Sequence, residues 1–338
     1  TATPRSFPLV IADDVSQNAL SAFIGAFIFS IVGQIAVSNS YFEASGRFAI
    51  FLLILLVFAI VILTFVRWVD RIARLGRLGT IIEKVEKATL SAIGQRRRKP
   101  NLGAVPYDAN QDERPDTAVQ VFSPELGHVQ RIDMQKLQNH AEQYECEITI
   151  LAMPGQFVAS NHPLAYYVIN KDDADQTKVH AEIADAFLIN SNRTFYEDPR
   201  FGLVVLSEIA SRALSPSVND PGTAIATLGS LLRAFDLWLK PLKETPEPVY
   251  NKLRAPATDI KEMFDDAFNG IARDGAGCIE VISRLLKVLE TLSVIGDEAT
   301  QAAAKHHAQR VLEQAKDALR LEQDIKAAEQ AAAFITSG

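Results

Sequence analysis

The stretch FAIFLLILLVFAIVILTFV, residues 48–66, decides the fold of this chain. It carries no charge, and Thr64 is its only polar side chain. About 20 consecutive apolar residues are enough for a helix to span the hydrocarbon core of a bilayer. A second apolar run, ALSAFIGAFIFSIVGQIAV at residues 19–37, precedes it across a short polar loop. Two runs of spanning length predict a transmembrane hairpin within residues 1–66 rather than two buried core helices.

One face of the first run carries small side chains at helical spacing, with a glutamine beside them. These positions are Ala22, Ala26, Ser30, Gly33 and Gln34. Small residues let a second helix approach closely, and a glutamine in a span prefers a partner helix or water to lipid. Two interpretations remain open: the face packs against the second run, or it lines a pore or an oligomer contact.

Basic residues set the expected orientation of the hairpin. Residues 67–100 hold ten Lys or Arg against three Asp or Glu, although the whole chain has a net charge of −7. The loop between the two runs has Arg47 as its only basic residue. The positive-inside rule then places both ends of the hairpin in the cytoplasm of a bacterial inner membrane. A basic collar on an acidic body favours the bilayer and its anionic lipids as partners, and disfavours nucleic acid.

The helical pattern continues past the second run as a basic helix over residues 67–95. Its arginines recur at spacings of four, three and three, at Arg67, Arg71, Arg74 and Arg77. Such a stripe anchors an interfacial helix to anionic headgroups. In a ring of subunits it would instead surround a vestibule that favours anions. Residues 96–116, rich in Pro, Asn and charge, predict a linker.

Alternating β-branched segments predict a small β-rich unit over residues 117–170, with a helix at 133–144. Its segment MPGQFVASNHPLAYYVI, residues 153–169, resembles the barrel-sandwich units of lipoyl and biotinyl carriers. The second turn, residues 160–163, has no lysine to carry a cofactor, so we expect none there and favour a structural or docking role. Residues 171–338 predict a helical domain. The expected class is a membrane α-helical protein with an α+β cytoplasmic region.

Two Asp-Pro pairs, Asp198-Pro199 and Asp220-Pro221, end the polar breaks between helices of this domain. Asp accepts hydrogen bonds from the first free amides of a helix, and Pro fits the first helical position. This role accounts for both pairs but not for the polar residues near them, Arg193, Ser215, Asn219 and Thr223. Arg193 could pair with either aspartate. The six residues form either a tight junction between helices or a ligand or ion site.

The segments around these pairs, NRTFYEDPRFGLVVLSEIA (192–210) and RALSPSVNDPGTAIATL (212–228), carry a resemblance. They are similar to the signature of an uncharacterised bacterial family of predicted inner-membrane proteins, and weaker similarity covers nearly the whole chain. The resemblance implies a location and an architecture but no activity. Members of that family usually carry further transmembrane segments upstream, so we expect such segments before Thr1.

Three functions remain open at this point. The favoured one is a homo-oligomeric channel or transport-type protein with a cytoplasmic regulatory domain. The alternatives are a membrane-anchored binding or scaffold module, and an enzyme centred on Asn219 and Asp220. No nucleophile elbow, phosphate-binding loop, zinc-protease or dinucleotide pattern supports the enzyme. The six histidines lack metal-ligand spacing, and Cys146 and Cys278 stand alone, so no metal is expected.

Overall fold

In a computed structural model, the chain divides into two compact units, residues 1–84 and 85–338. The structure describes residues 3–6, 9, 14–38, 44–75, 78–109, 111–169, 175–242, 244 and 246–336, without the side chains of 14–16, 44–45, 71–75 and 78.

The first unit contains the two expected apolar helices, α1 (Asp14–Ser38) and α2 (Ala44–Leu75). The stretches Gln17–Ser38 and Gly46–Asp70 are long and apolar enough to cross a membrane. The helices pack against each other, and the ring centroids of Phe23 and Phe65 lie 6.4 Å apart. Their outer apolar side chains are exposed, which is unfavourable in water and suits an apolar solvent.

Helix α3 (Leu78–Arg98) replaces part of the expected basic helix. The structure divides residues 67–95 between the end of α2, at Leu75, and α3, which begins at Leu78, and the interfacial location stays a prediction. Val85, Thr89 and Ile93 are buried within the second unit. Their apolar stripe is therefore a packing face of the body, which an amphipathic sequence pattern alone does not distinguish from a lipid-facing stripe.

The remaining elements follow in chain order. The strands are β1 (Ala104–Tyr107), β2 (Val119–Phe122), β3 (Gly127–Ile132), β4 (Cys146–Ile150), β5 (Phe157–Val158), β6 (Pro163–Ile169), β7 (Phe187–Asn190) and β8 (Tyr250–Pro256). The helices are α4 (Met134–Gln143), α5 (Gln176–Ala184), α6 (Pro199–Ala213), α7 (Pro221–Leu239), α8 (Ile260–Gly275), α9 (Ile279–Ile295), α10 (Glu298–Ala318) and α11 (Glu322–Ala331).

The strands form two sheets. The five-stranded sheet has the order β1-β8-β4-β6-β2, in which β8 runs parallel to β1 and β4 and the other pairs are antiparallel. The three-stranded antiparallel sheet has the order β5-β3-β7. Leu137 of α4 and Ile183 of α5 pack with Ile148 of β4 in one apolar core. The barrel-sandwich likeness stays a prediction.

Three strands lie outside the expected β unit. Strand β1 falls in the expected linker, and β7 and β8 fall in the expected helical domain. Only Leu253 and Ala255 of β8 are buried, so its sequence lacks a strong apolar alternation. Its backbone pairing with β1 and β4 makes it a strand, and this pairing connects residues about 150 positions apart. The linker prediction therefore fails because tertiary pairing orders the segment.

The C-terminal helices share a core of aromatic side chains. The rings of Phe235, Phe264 and Phe268 lie within 4.8–5.5 Å of one another. His307 of α10 packs against two of these rings. Burial lowers the pKa of His307 to about 4, so the imidazole is neutral at pH 7. His307 is thus a core residue.

A glycine sets how closely α6 approaches α3. A Cβ at Gly202 would lie 2.1 Å from Oγ1 of the buried Thr89. No side chain fits at that distance, so residue 202 of α6 must be glycine if the two backbones are to stay in place. Gly229 of α7 differs, because a Cβ there would meet only the flexible end of Arg233 at 3.5 Å.

We expect Gly202→Ala to destabilise the protein by about 2 kcal/mol, because overpacking forces the helices apart. Gly229→Ala is the matched control and should leave stability unchanged or raise it by up to ~1 kcal/mol, since alanine favours a helix. Thermal unfolding of the detergent-solubilised full chain measures both. Equal melting temperatures for the two variants would contradict the close approach of α3 and α6.

Candidate functional site

Asp198 is a buried carboxylate at the start of α6. Its side chain is 2% exposed and accepts four hydrogen bonds. Arg193 donates two of them, from Nε at 2.7 Å and Nη2 at 3.1 Å, and the amides of Arg200 and Phe201 donate the others, both at 3.1 Å. Asp198 therefore caps the helix, as predicted, and also neutralises Arg193. Of the two partners open to Arg193, the structure selects Asp198.

A tight turn presses against this carboxylate. Gly155 has a φ of 97°, in the region that favours glycine. A Cβ there would lie 2.3 Å from Oδ2 of Asp198. The turn at Gly155, within the segment expected to be the β-rich unit, therefore lies directly against the carboxylate of Asp198.

Arg96 lies beside the same segment. Its side chain is 7% exposed, and it donates to the carbonyl of Glu197 at 2.8 Å and to the hydroxyl of Thr258 at 3.0 Å. Burial lowers the pKa of Arg96, and the carboxylates of Asp198 and Glu197 oppose that effect. An arginine stays protonated even so. The buried cation therefore connects α3 to the segments that precede α6 and α8.

An open cavity of about 620 Å³ is lined by Arg96, Gly155, Arg193 and Asp198, and we call it the aspartate cleft. It also exposes Arg200, which pairs with Asp266 at 2.6 Å and with Glu262. Arg193 is paired with Asp198, and its guanidinium lies 5.3 Å from the ring centroid of Phe201. Because the arginines here have carboxylate partners, the charges of the aspartate cleft largely neutralise one another.

The second motif segment forms a junction between α6 and α7. Asn219 is exposed with a φ of 49°, and its amide donates to the carbonyl of Ser215 at 2.9 Å. Asp220 caps α7 by accepting from the amide of Thr223 at 3.1 Å and from its hydroxyl at 2.6 Å. The Thr223 hydroxyl, followed by its amide, lowers the pKa of Asp220. These contacts are what a helix-to-helix turn requires.

The two motif segments lie at opposite ends of α6. Asp198 precedes the first residue of the helix, whereas the amide of Asp220 donates to the carbonyl of Ala213, its last residue. Fifteen residues at 1.5 Å each separate the two ends by about 22 Å. Arg193 and Asp220 therefore belong to different places, and neither Asn219 nor Asp220 lines the aspartate cleft.

A second cavity, which we call the basic cleft, was not expected from the sequence. It has a volume of about 520 Å³ and is lined by Arg98, Lys99 and Arg131 together with Tyr196 and Tyr250. Within the part of the chain that the structure describes, none of these three cationic side chains forms a hydrogen bond or an ion pair. The sequence feature that could have indicated this cleft is the run of four basic residues at 96–99, which lies in the predicted linker.

Glu197 also lines the basic cleft. Burial raises the pKa of this carboxyl, while the amide of Ile132 and the positive charges of Arg131, Arg96 and Lys99 act in the opposite direction. Three cations therefore surround one partly desolvated acid. The other acid of the cleft, Asp133, is engaged as the cap of α4 by the amide of Lys136 at 3.0 Å. The lining is positive overall.

The candidate residues of the apolar helices fall on two sides of α1. Ala22, Ala26 and Gly33 lie on its half-buried face, which also includes the buried Ala19, whereas Ser30 and Gln34 are exposed. A Cβ at Gly33 would meet nothing within 4 Å, so packing within this chain does not require glycine there.

The arginine stripe is described only in part. Arg67 is exposed, while Arg77 and the side chains of Arg71 and Arg74 lie outside the described residues. Over the described parts of both units, no group of three or more His, Cys, Asp or Glu is arranged to hold a metal ion.

Comparisons with known proteins identify a family for most of the chain. The model of the family described as "Predicted membrane protein (DUF2254)" matches residues 1–291. Two relatives are the uncharacterised proteins MT1328 and Rv1290c of two Mycobacterium tuberculosis strains, CDC 1551 / Oshkosh and ATCC 25618 / H37Rv. Each is 28% identical over 125 residues, which cover 35% of this chain and 23% of the relative. The match thus spans about a quarter of those relatives. No solved structure matches the chain significantly.

Exchanging each capping aspartate for asparagine distinguishes the two motif segments. Asparagine still caps a helix, so Asp220→Asn should change stability by less than ~1 kcal/mol. Asp198→Asn should cost about 3 kcal/mol, because it leaves the guanidinium of Arg193 without its buried counter-charge. In a chain of this size, a loss of about 3 kcal/mol lowers Tm by roughly 4–6 °C. Similar melting curves for the two variants would show that Asp198 acts only as a cap.

Proposed function

The chain belongs to the DUF2254 family of predicted membrane proteins, and from that premise we propose that it is a membrane-anchored binding protein. Its globular body takes up a small ligand bearing phosphate or a similar anion, and the basic cleft is the binding site. The observation that carries the proposal is that the side chains of Arg98, Lys99 and Arg131 line one cavity and form no hydrogen bond or ion pair with the residues that the structure describes.

The proposed anchor is the helix pair α1 and α2 in a bacterial inner membrane. Both spans are apolar, with mean hydropathies of 2.1 and 3.4, and none of the most apolar window of either span is buried inside the protein. The arginines after the second span favour a cytoplasmic body by the positive-inside rule. Anionic lipids at that surface are the proposed partners of Arg67 and of the stripe that it begins.

Electrostatics favour an anion in the basic cleft. Like charges placed around one cavity repel each other, and an anion between them relieves this repulsion. Hydrogen bonds from arginine and lysine to phosphate are stronger than those between neutral groups. The volume of the cleft, about 520 Å³, is that of a small-molecule site. The aspartate cleft has no comparable excess of positive charge, because Arg193 and Arg200 already have carboxylate partners.

Pyrophosphate binding to the full chain in phosphatidylcholine nanodiscs tests the proposal. We expect the combined change Arg98→Gln, Lys99→Gln and Arg131→Gln to weaken binding at least 30-fold, since each lost charge-assisted bond changes affinity by about 5- to 10-fold. The matched control removes three exposed cations elsewhere in the body, by Arg284→Gln, Lys287→Gln and Arg320→Gln. Equal binding by the two triple variants, or no binding by the unchanged protein, would refute the proposal.

The same titration distinguishes a lipid headgroup from a soluble anion. In nanodiscs that contain phosphatidylglycerol, a headgroup able to enter the basic cleft would compete with pyrophosphate. The apparent affinity for pyrophosphate would then be lower than the affinity measured in phosphatidylcholine nanodiscs. An unchanged affinity assigns the cleft to a soluble ligand.

A homo-oligomeric channel with a regulatory body is the second candidate. The observation in its favour is the exposure of Ser30 and Gln34 within a span, because polar side chains in lipid favour protein or water contacts. Single-particle imaging in nanodiscs should then show a ring with these residues around its axis. Gln34→Leu should reduce bilayer conductance. A monomer, or a ring without a protein-lined path, would exclude this candidate.

A further inference from the structure

We propose that the ligand of the basic cleft is a nucleoside di- or triphosphate, with its base stacked on Tyr196 and its phosphates bound by Arg98, Lys99 and Arg131. This inference rests on the proposed function. Beyond the anion site, it assigns Tyr196 to bind the base, which is the uncharged part of the ligand.

Tyr196 is the first reason for a nucleotide. Its side chain is 62% exposed, although it lines a cavity. The preceding residue, Phe195, packs on Phe201 of α6 with ring centroids 4.7 Å apart, which ties the segment to that helix. Tyr196 thus presents an exposed ring next to this contact, and an exposed aromatic ring is a platform on which bases stack.

The apolar part of the lining is the second reason. Ile132 and Met134 line the basic cleft and are buried in the apolar core, and Leu102, which also lines the cleft, packs against that core. The amide of Gln95 also lines the cleft and provides both a donor and an acceptor. A planar, partly apolar group with polar edges matches this combination, and a nucleobase is such a group.

The arrangement of charge is the third reason. The cations are supplied by the end of α3 and by β3, and the aromatic side chains by Tyr196 and Tyr250. A ligand that uses both sets of side chains needs an aromatic group joined to several negative charges. Inorganic phosphate or a glycerol-based headgroup engages the cations and leaves the tyrosine rings unused.

Parallel titrations with ADP and pyrophosphate test this inference on the full chain in phosphatidylcholine nanodiscs. We expect ADP to bind roughly tenfold more tightly than pyrophosphate, because stacking of the base adds to the binding of the phosphates. Tyr196→Ala should remove this advantage and leave pyrophosphate binding unchanged, while Tyr196→Phe should keep it. The control is Phe157→Ala, which removes another exposed aromatic ring from the aspartate cleft.

The outcomes separate the two levels of the proposal. Equal affinities for ADP and pyrophosphate, or loss of pyrophosphate binding in Tyr196→Ala, would overturn the nucleotide and leave the anion site in place. Failure of both ligands to bind would overturn the nucleotide and the proposed function together. Saturation-transfer NMR from the protein to the base protons of ADP, lost in Tyr196→Ala and retained in Tyr196→Phe, would support the stacked geometry.

Discussion

The buried guanidinium of Arg96 determines how three separate segments meet. A charge removed from water is strongly destabilising unless hydrogen bonds and counter-charges replace the solvent. Here the replacements are the carbonyl of Glu197, the hydroxyl of Thr258 and the nearby carboxylate of Asp198. They come from the segments that precede α6 and α8, while the cation comes from α3. One buried cation therefore connects α3 to the segment that caps α6, and it lines both clefts.

The two Asp-Pro pairs show how one local rule serves different purposes. Both aspartates cap a helix through the same side-chain chemistry. Asp198 is also enclosed by Arg193 and by the turn at Gly155, so its charge is part of the packing. Asp220 accepts from the amide and the hydroxyl of Thr223 and lies in a turn beside the exposed Asn219. The two aspartates differ because the groups around Asp198 include a turn from a distant part of the chain, whereas those around Asp220 are local.

Local chemistry made much of this fold predictable. The apolar runs of α1 and α2, the caps of α6 and α7, and strands β2 to β4 all follow from short-range patterns. Strand β8 and the burial of Arg96 do not, because both depend on partners about 100 to 160 residues away. The basic cleft has the same origin: Arg98 and Arg131 are unremarkable surface residues until β3 and the end of α3 are brought together.

Glu197 and Asp198 are consecutive residues, yet one lines the basic cleft and the other the aspartate cleft. Arg96 lines both. The two cavities thus have Arg96 in common and adjoin each other at residues 197–198. A ligand that displaced Arg96 in one cavity would change the lining of the other. Because coupling free energies are reciprocal, a second ligand bound there would then alter the affinity of the first by the same factor.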